Sequence, residues 1–515
     1  MDEAGGERSG RRRGRRPQGD GAAPAIQQMP WKQPRRTFPP VELLSADEIE
    51  NIHTHSLTVL EDLGMEILHE EAVAMLKGAG AIVKGDLVRI GREIVEASIG
   101  SAPEVFTLHA RNPLHHTQIG GDAFTFRPVG GPPNCSDLDK GRRPGSFADS
   151  CNFLKLAQHF NCIHSAGYAV DALDVHASIR HLKLGFAKAT LTDKAGAASS
   201  TGRARLFDGI EMARIARGIS HEQLDREPSV TVGINTNSPL KLDEMMTMGI
   251  VEAARMNQCL VVTPFTLAGA MAPVTMAGAL VEQNAEALCG LTIHQLSRRG
   301  APFVYGGFTS NVDMKSGAPA FGTPEYMKAC LVGGQLARRY RVPYRTSSTN
   351  AANSVDAQAA WESVFSLWGA VMGGGHMIVH AAGWMEGGLV AGYEKYMVDI
   401  ELLQTIQEFL NPLEMTEDAL GIEAMREVGP GGHFFGNKQT MERYANAFYP
   451  PVLSDWRTFE QWQASGSPTA EQKANRMWKQ ALAEYSEPAM DPAIREELEA
   501  FVARRIEEGG QHTDF

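Results

Sequence analysis

From Ala123 to Asn411 short β-type runs alternate with amphipathic helical stretches, eight of each, and no other feature limits the fold as strongly. Parallel strands cannot be joined by hairpins, so each needs a crossover, and a helix between strands supplies it. The runs predict strands at Phe124–Pro128, Ile163–Ala169, Ala189–Thr192, Val230–Thr236, Cys259–Thr266, Pro302–Gly307, Pro343–Ser347 and Met377–Ala381. Helices are predicted at Phe147–Phe160, His176–Gly185, Arg203–Gly218, Lys241–Asn257, Met276–Arg299, Pro324–Arg341, Ala357–Met372 and Tyr393–Leu410. That count closes a (β/α)8 TIM barrel, so the expected fold class is α/β. Thr323-Pro324-Glu325 marks one helix start: an N-cap, then Pro at the first helical position, then an acid. An open doubly wound sheet is the competing architecture. It normally has fewer strands and a phosphate-binding glycine signature, which is missing here.

The flanks read differently. Residues 1–37 carry Arg8, Arg11, Arg12, Arg13, Arg15 and Arg16 among Gly, Ser and Pro, and a disordered tail is expected. Residues 38–122 are expected to form an N-terminal α/β extension. Its first helix opens on the capping box Ser45-Ala46-Asp47-Glu48 and runs through Leu60, and a helix at Glu70–Gly78 and a strand at Leu87–Ile90 follow. After the barrel at 123–411, residues 412–515 hold a Gly-rich segment, Gly429–Gly436, and a helical tail, Trp456–Glu508. The tail is amphipathic and is expected to pack on the barrel or on another subunit, which makes a homo-oligomer the expected assembly.

A net charge of −12 excludes a nucleic-acid binder by overall charge, and 43% hydrophobic residues exclude a disordered chain. Cys135, Cys151, Cys162, Cys259, Cys289 and Cys330 are scattered without a C-x-x-C pair, as reduced thiols in a cytoplasmic protein would be. No apolar stretch follows the arginines, so no secretory signal is expected. The uncharged stretches Asn257–Val281 and Phe365–Met385 are broken by Gly and polar residues, so no membrane span is expected.

Several chemistries lack their residues. There is no P-loop, no G-x-G-x-x-G between strand and helix, no G-x-S-x-G and no H-E-x-x-H. His53-Thr54-His55 falls inside a predicted helix, where alternate residues point to different faces. His115-His116 lies in a loop, and no metal site is expected.

The stretch from His376 to Leu389, HMIVHAAGWMEGGL, leaves the last predicted strand and continues into Gly392-Tyr393-Glu394-Lys395. With Gly429-Pro430-Gly431-Gly432-His433-Phe434, Asn446-Ala447-Phe448-Tyr449-Pro450-Pro451 and Asp455-Trp456, it resembles the trimethylamine methyltransferase family. The resemblance runs from about Val41 to the end of the tail. It implies a barrel enzyme that moves a methyl group from a methylated amine to the Co(I) of a separate corrinoid protein, with no tightly bound cofactor of its own. Archaeal trimethylamine members carry pyrrolysine at the active site. This sequence has only standard residues and is similar instead to the non-pyrrolysine branch, which includes glycine betaine methyltransferase. The implied substrate is a quaternary amine such as glycine betaine, proline betaine or carnitine. The D-x-H-x-x-G pattern of corrinoid-binding domains is missing, so the corrinoid (cobalamin) is expected on the partner.

Such a reaction asks little of the protein's own nucleophiles, because Co(I) is already strongly nucleophilic. A quaternary amine leaves as a neutral tertiary amine, so no general acid is required. The positive charge disperses as the methyl departs, and tight neutralisation of the cation would favour the ground state. Alignment, desolvation and exclusion of water are expected to carry the catalysis. Barrel active sites lie at the C-terminal strand ends, which makes Phe265, Tyr305, Phe308 and Trp384 candidate substrate-binding aromatics. Each is worth about 0.5–2 kcal/mol over an ammonium, with ordinary packing as the alternative. His380 and Glu386 flank one turn and are the candidate catalytic residues; Glu386 also suits a helix-dipole role. Asn235, Asn311 and Asn350 are candidate ligands for a substrate carboxylate, or turn residues. His433, in the Gly-rich loop, is a further binding candidate, for an anion or the corrinoid protein.

Two other functions fit the residues. A barrel lyase or hydrolase acting on a small acid needs an acid–base pair at the strand ends, and Asp193, Asp313 and Glu386 are available. A non-catalytic barrel that binds a quaternary amine or docks a corrinoid protein needs only the pocket.

Overall fold

A computed structural model of the chain describes residues 26–167 and 170–511. Its centre is a parallel sheet of seven strands: β1 (Thr125–Phe126), β2 (Gly196–Ala198), β3 (Val230–Ile234), β4 (Cys259–Val262), β5 (Phe303–Gly306), β6 (Tyr344–Ser347) and β7 (Met377–Val379). They lie in the order β1-β7-β6-β5-β4-β3-β2, with Val232 opposite Leu260 and Ile378 opposite Phe126. Apart from the β1–β7 contact, neighbours in the sheet are neighbours in sequence, as helical crossovers dictate. Eight long helices are interleaved with them: α1 (Phe147–His159), α2 (Ala177–Leu191), α3 (Arg203–Arg217), α4 (Glu244–Arg255), α5 (Met276–Ser297), α6 (Pro324–Tyr340), α7 (Ala357–Met372) and α8 (Tyr393–Phe409), with a short helix at His221–Arg226 after α3. Their starts are fixed by side-chain caps, including Ser146, Asp243, Thr275, Thr323 and Asp356.

Between the end strands β1 and β2 runs the segment 163–166. His164 N donates to Phe126 O at 2.9 Å, and Ala166 N donates to Ala195 O at 2.9 Å. Ser165 pairs in parallel with Ala195. The strand expected at Ile163–Ala169 is therefore a single bridge, and its last two residues lie outside the described ones.

The strand expected at Ala189–Thr192 is corrected. Ala189–Leu191 completes α2, and the strand follows at Gly196–Ala198. Thr190 and Leu191 have the higher strand propensity, but the sheet needs small residues there. A Cβ on Gly209 of α3 would sit 3.1 Å from the Ala198 Cβ, so helix and strand touch without larger side chains between them.

The N-terminal ends of the strands are covered by an antiparallel hairpin, Phe106–Leu108 with Thr117–Ile119. Its Leu108 and Ile119 pack on Ala195, Cys259, Val304 and Met377. The helices Ala46–Thr58, Glu70–Gly78 and Arg92–Ile99 lie against α5, and the strand Met65–Ile67 pairs with Lys241–Leu242.

The boundary expected at Phe38 also moves. Ile26 N donates to Glu484 Oε2 at 3.2 Å, Met29 N donates to Gln404 Oε1 at 3.0 Å, and the Trp31 ring lies 5.0 Å from His115. Residues 26–37 are thus laid along the body, while the six arginines lie outside the described residues. At the other end, Ala470–Glu484 buries Ala474, Met477 and Ala481 in one core with Phe153 and Tyr396. Pro492–Glu507 packs Leu498 and Val502 on Leu182, Met212 and Ile215. The tail therefore covers its own chain's helices.

Candidate functional site

With their N-terminal ends covered, the strands open only at the other end. There a cavity of about 680 Å³ is lined by Arg127, Ser200, Asn235, Thr263, Arg345 and His380 among others, and it reaches the exposed Gly131. Strand alternation explains the lining: Thr231, Gly233 and Asn235 share one face of β3 and its extension. Gly167, Ala198 and Gly233 leave the volume unfilled.

The walls are cationic. Arg127, Arg180, Lys188, Arg205 and Arg345 line the cavity against one carboxylate, Asp171, whose pKa burial raises. Arg127 Nε donates to Ser165 Oγ at 3.1 Å and its Nη1 to Thr231 Oγ1 at 2.9 Å. Arg345 Nη1 donates to Gly307 O at 3.4 Å, and the guanidinium lies 5.3 Å over the Phe308 ring. Burial brings the Arg345 pKa down to about 10, which leaves it charged at neutral pH.

His380 leaves β7 with φ 59°, a left-handed conformation that costs a non-glycine residue about 1–3 kcal/mol. Desolvation, then the charges of Arg345 and Arg127, hold its pKa well below the usual imidazole value, so the ring is neutral. Its Nδ1 has no hydrogen-bond partner among the described residues. The ring lies on the Trp384 indole with centroids 3.9 Å apart, and Phe308 meets it edge-on at 5.8 Å. Phe265 extends the cluster, 5.1 Å from Phe308. Gly388, at φ +104°, folds over the indole; a Cβ there would lie 2.5 Å from Trp384 Cζ2.

A buried polar network holds this turn from behind. Lys395 Nζ contacts both oxygens of Asp399 at 2.5 Å and Ser363 Oγ at 2.7 Å. Asp399 Oδ2 accepts from Gly383 N at 2.8 Å. With its amide turned to satisfy both ends, Asn350 donates to Trp384 O at 2.6 Å and accepts from Lys395 at 3.2 Å.

The structure thus brings together His380, Trp384, Phe308 and Phe265, but of these four only His380 lines the cavity, on which Asn235 also opens. Other candidates lie elsewhere. The Tyr305 hydroxyl points outward and donates to Asn284 of α5 at 3.1 Å. Glu386 does not line the cavity; its carboxylate lies 3.0 Å from Arg142 Nε. Asn350 belongs to the network behind the turn, Asn311 accepts from Thr323 Oγ1 at 3.2 Å, and His433 is exposed in the Gly-rich segment. Asp193 pairs with His115 at 2.6 Å, and Asp313 caps an exposed turn through Ser316 at 2.6 Å; neither lines the cavity. Arg127 and Arg345 escaped the sequence reading. Each is a charge inside a predicted strand, Phe124–Pro128 and Pro343–Ser347. The thiols of Cys162, Cys259 and Cys289, pushed up to about 12 by burial, stay protonated and away from the cavity.

A parallel α/β fold with a polar, cationic cavity at its strand ends defines an enzyme site. The family description "Trimethylamine methyltransferase (MTTB)" matches residues 8–510, well before Val41. Glycine betaine methyltransferase of Desulfitobacterium hafniense (strain Y51) is 35% identical over 476 residues, 92% of this chain and 99% of that protein. A trimethylamine methyltransferase of Desulfitobacterium hafniense (strain DSM 10664 / DCB-2) is 26% identical over 470 residues, 90% of this chain and 94% of its own length. Among solved structures, the monomethylamine methyltransferase of Methanosarcina barkeri aligns with a TM-score of 0.46 at 10% identity, over 87% of this chain and 90% of its own. The chain belongs to the trimethylamine methyltransferase family and is a methyltransferase.

Proposed function

We propose that this methyltransferase takes a methyl group from a betaine-like quaternary amine and passes it to a corrinoid carried by a separate protein. The observation that carries the reading is the open cavity at the strand ends, walled by neutral His380, whose ring stacks on Trp384 and meets Phe308 edge-on. The cavity's reach to exposed Gly131 suits a group delivered from outside. When bound, the corrinoid supplies the Co(I) nucleophile. This chain's residues bind and align the amine and keep water away from it. A neutral His380 donates no charge-balancing proton, and a departing tertiary amine needs none.

The segment 163–166 supports reading the sheet as a closed eight-stranded barrel, because its backbone bonds to both end strands. The apolar surface of residues 413–459 supports self-association, with a second copy of the chain as the partner. Six free cysteines suit a cytoplasmic setting. No helix among the described residues is long and apolar enough to cross a membrane.

The test is spectral. A cognate corrinoid protein reduced to Co(I) is mixed with the enzyme and glycine betaine, proline betaine, carnitine or trimethylamine in turn. Methyl-Co(III) formation with one betaine is the expected result. No conversion with any of them, using a corrinoid protein proven with another methyltransferase, overturns the reading.

A further inference from the structure

We propose that Arg345, with Arg127 next to it on the cavity wall, is an anion subsite that takes the carboxylate of a zwitterionic substrate and points its methylated nitrogen toward the mouth. The inference rests on the methylated-amine reading above and adds to it which residues select the substrate and which way round it lies.

Arg345 is 7% exposed and sits on a strand whose other residues are also buried. A guanidinium carries five N–H donors. Arg345 makes one long hydrogen bond, to Gly307 O at 3.4 Å, and among the described residues no carboxylate lies within the 4.0 Å of an ion pair. Its flat face rests on Phe308 at 5.3 Å, which fixes the plane of the fork and leaves its edge for a planar anion. A buried, uncompensated charge is costly unless something of opposite sign joins it. Elsewhere in this protein the buried cation Lys395 has its carboxylate, Asp399, at 2.5 Å. Arg345 has none.

The surroundings point the same way. Arg180 and Arg205 add positive charge to the wall, and among the described residues Asp171 is the one acid lining it. A bare ammonium gains nothing from such a wall. A betaine gains through its carboxylate, at the cost of holding its ammonium further out. Neutral His380 lines the cavity with Arg345, its ring stacked on Trp384 and met edge-on by Phe308, so an ammonium one or two carbons from the bound carboxylate meets an uncharged imidazole face. The N-methyl groups then face the open side, where a partner-borne acceptor arrives. The wall also disfavours the ammonium's charge, which is relieved as the methyl leaves.

Glycine betaine and choline carry the same trimethylammonium group and differ in carboxylate against hydroxymethyl, so they isolate the subsite. Calorimetric titration of the full-length enzyme, without corrinoid protein, is expected to give betaine at least tenfold tighter binding than choline. Arg345→Met is expected to lose that preference by weakening betaine at least tenfold while leaving choline unchanged; Arg345→Lys recovers part of it. In the corrinoid assay Arg345→Lys raises the betaine KM more than it lowers kcat. Equal affinities for the two ligands in the unaltered enzyme, or equal weakening of both by the variants, overturn the subsite. Arg345→Lys keeps the charge and serves if Arg345→Met fails to fold. Selective betaine binding without methyl transfer leaves the subsite standing and removes the proposed function. Transfer from trimethylamine as fast as from betaine does the reverse.

Discussion

The imidazole of His380 lies on the indole of Trp384, ring centroids 3.9 Å apart and planes 36° from parallel. The contact exists because His380 takes a left-handed backbone conformation and Gly388 lets the turn fold back over the indole. Asparagine tolerates that conformation better than most residues. His380→Asn is therefore expected to fold with a stability within about 1 kcal/mol of the parent, while methyl transfer falls about tenfold or more. Glu386→Gln, which breaks a partly exposed ion pair with Arg142 away from the cavity, is expected to change transfer less than about threefold and stability by less than about 1 kcal/mol. Urea unfolding and steady-state transfer on the two variants decide it; a His380→Asn enzyme of full activity removes the ring from the mechanism.

The Lys395–Asp399 pair is fully enclosed and supports the same turn through Gly383 N and Asn350. Removing one member of a buried pair strands the other, at about 3–5 kcal/mol. Lys395→Met is expected to lose that much in denaturant unfolding and to loosen the turn. Lys395→Met with Asp399→Leu is expected to regain a large part, because no charge is left buried. A single variant as stable as the parent, or a double variant no better than the single, contradicts the account.

The repeating architecture was legible because it rests on two periodicities that survive local noise. Helices such as Ala357–Met372 matched to the residue, since their caps and apolar faces agree. The strand expected at Ala189–Thr192 lies instead at Gly196–Ala198 because these small residues are chosen by space against α3, which only the folded sheet reveals. At the site, His380 and Trp384 could be singled out because one short motif carries both. Tyr305 was misjudged for a simple reason: a strand residue faces inward or outward by register, and a one-residue difference sends the ring to α5 instead of the cavity. Arg345 carries no distinguishing signal in Pro343–Ser347, where Thr346 and Ser347 are polar too, until the cavity beside it is seen.

Enclosed histidines lower stability in acid, His380 among them and three others away from the cavity. Burial lowers the pKa of His164 to about 3 and those of His294 and His376 to about 4, against about 6.5 in the unfolded chain. Between about 4 and 6.5 the unfolded state therefore binds more protons than the folded one, and stability falls as pH drops through that window. Each histidine contributes roughly 1.4 kcal/mol per pH unit below 6.5, or about 2 kcal/mol by pH 5. Urea midpoints at pH 7.5 and pH 5 are expected to differ in that direction, and His294→Gln should flatten the slope. A pH-independent midpoint would falsify this assignment.

Residues 413–459 hold Leu413, Phe435, Tyr444 and Phe448 at 82–87% exposure, with Trp456 and Phe459 also exposed. On the body, Trp361 and Phe365 of α7 and Phe409 at the end of α8 are bare as well. Scattered exposed apolar residues need no explanation, but so many within one segment and on one neighbouring helix form a surface that water disfavours. A second copy of the chain brings both kinds of surface, so each arm can cover the other copy's α7. Light scattering at micromolar concentration is expected to return a multiple of the 56.0 kDa chain mass. Phe435→Ser together with Phe448→Ser should lower that mass or make it dilution-sensitive, while betaine binding in the cavity is kept, because neither residue lines it. A monomer across the range would mean that the segment meets a different protein, and the corrinoid carrier would then be the first candidate to titrate against it.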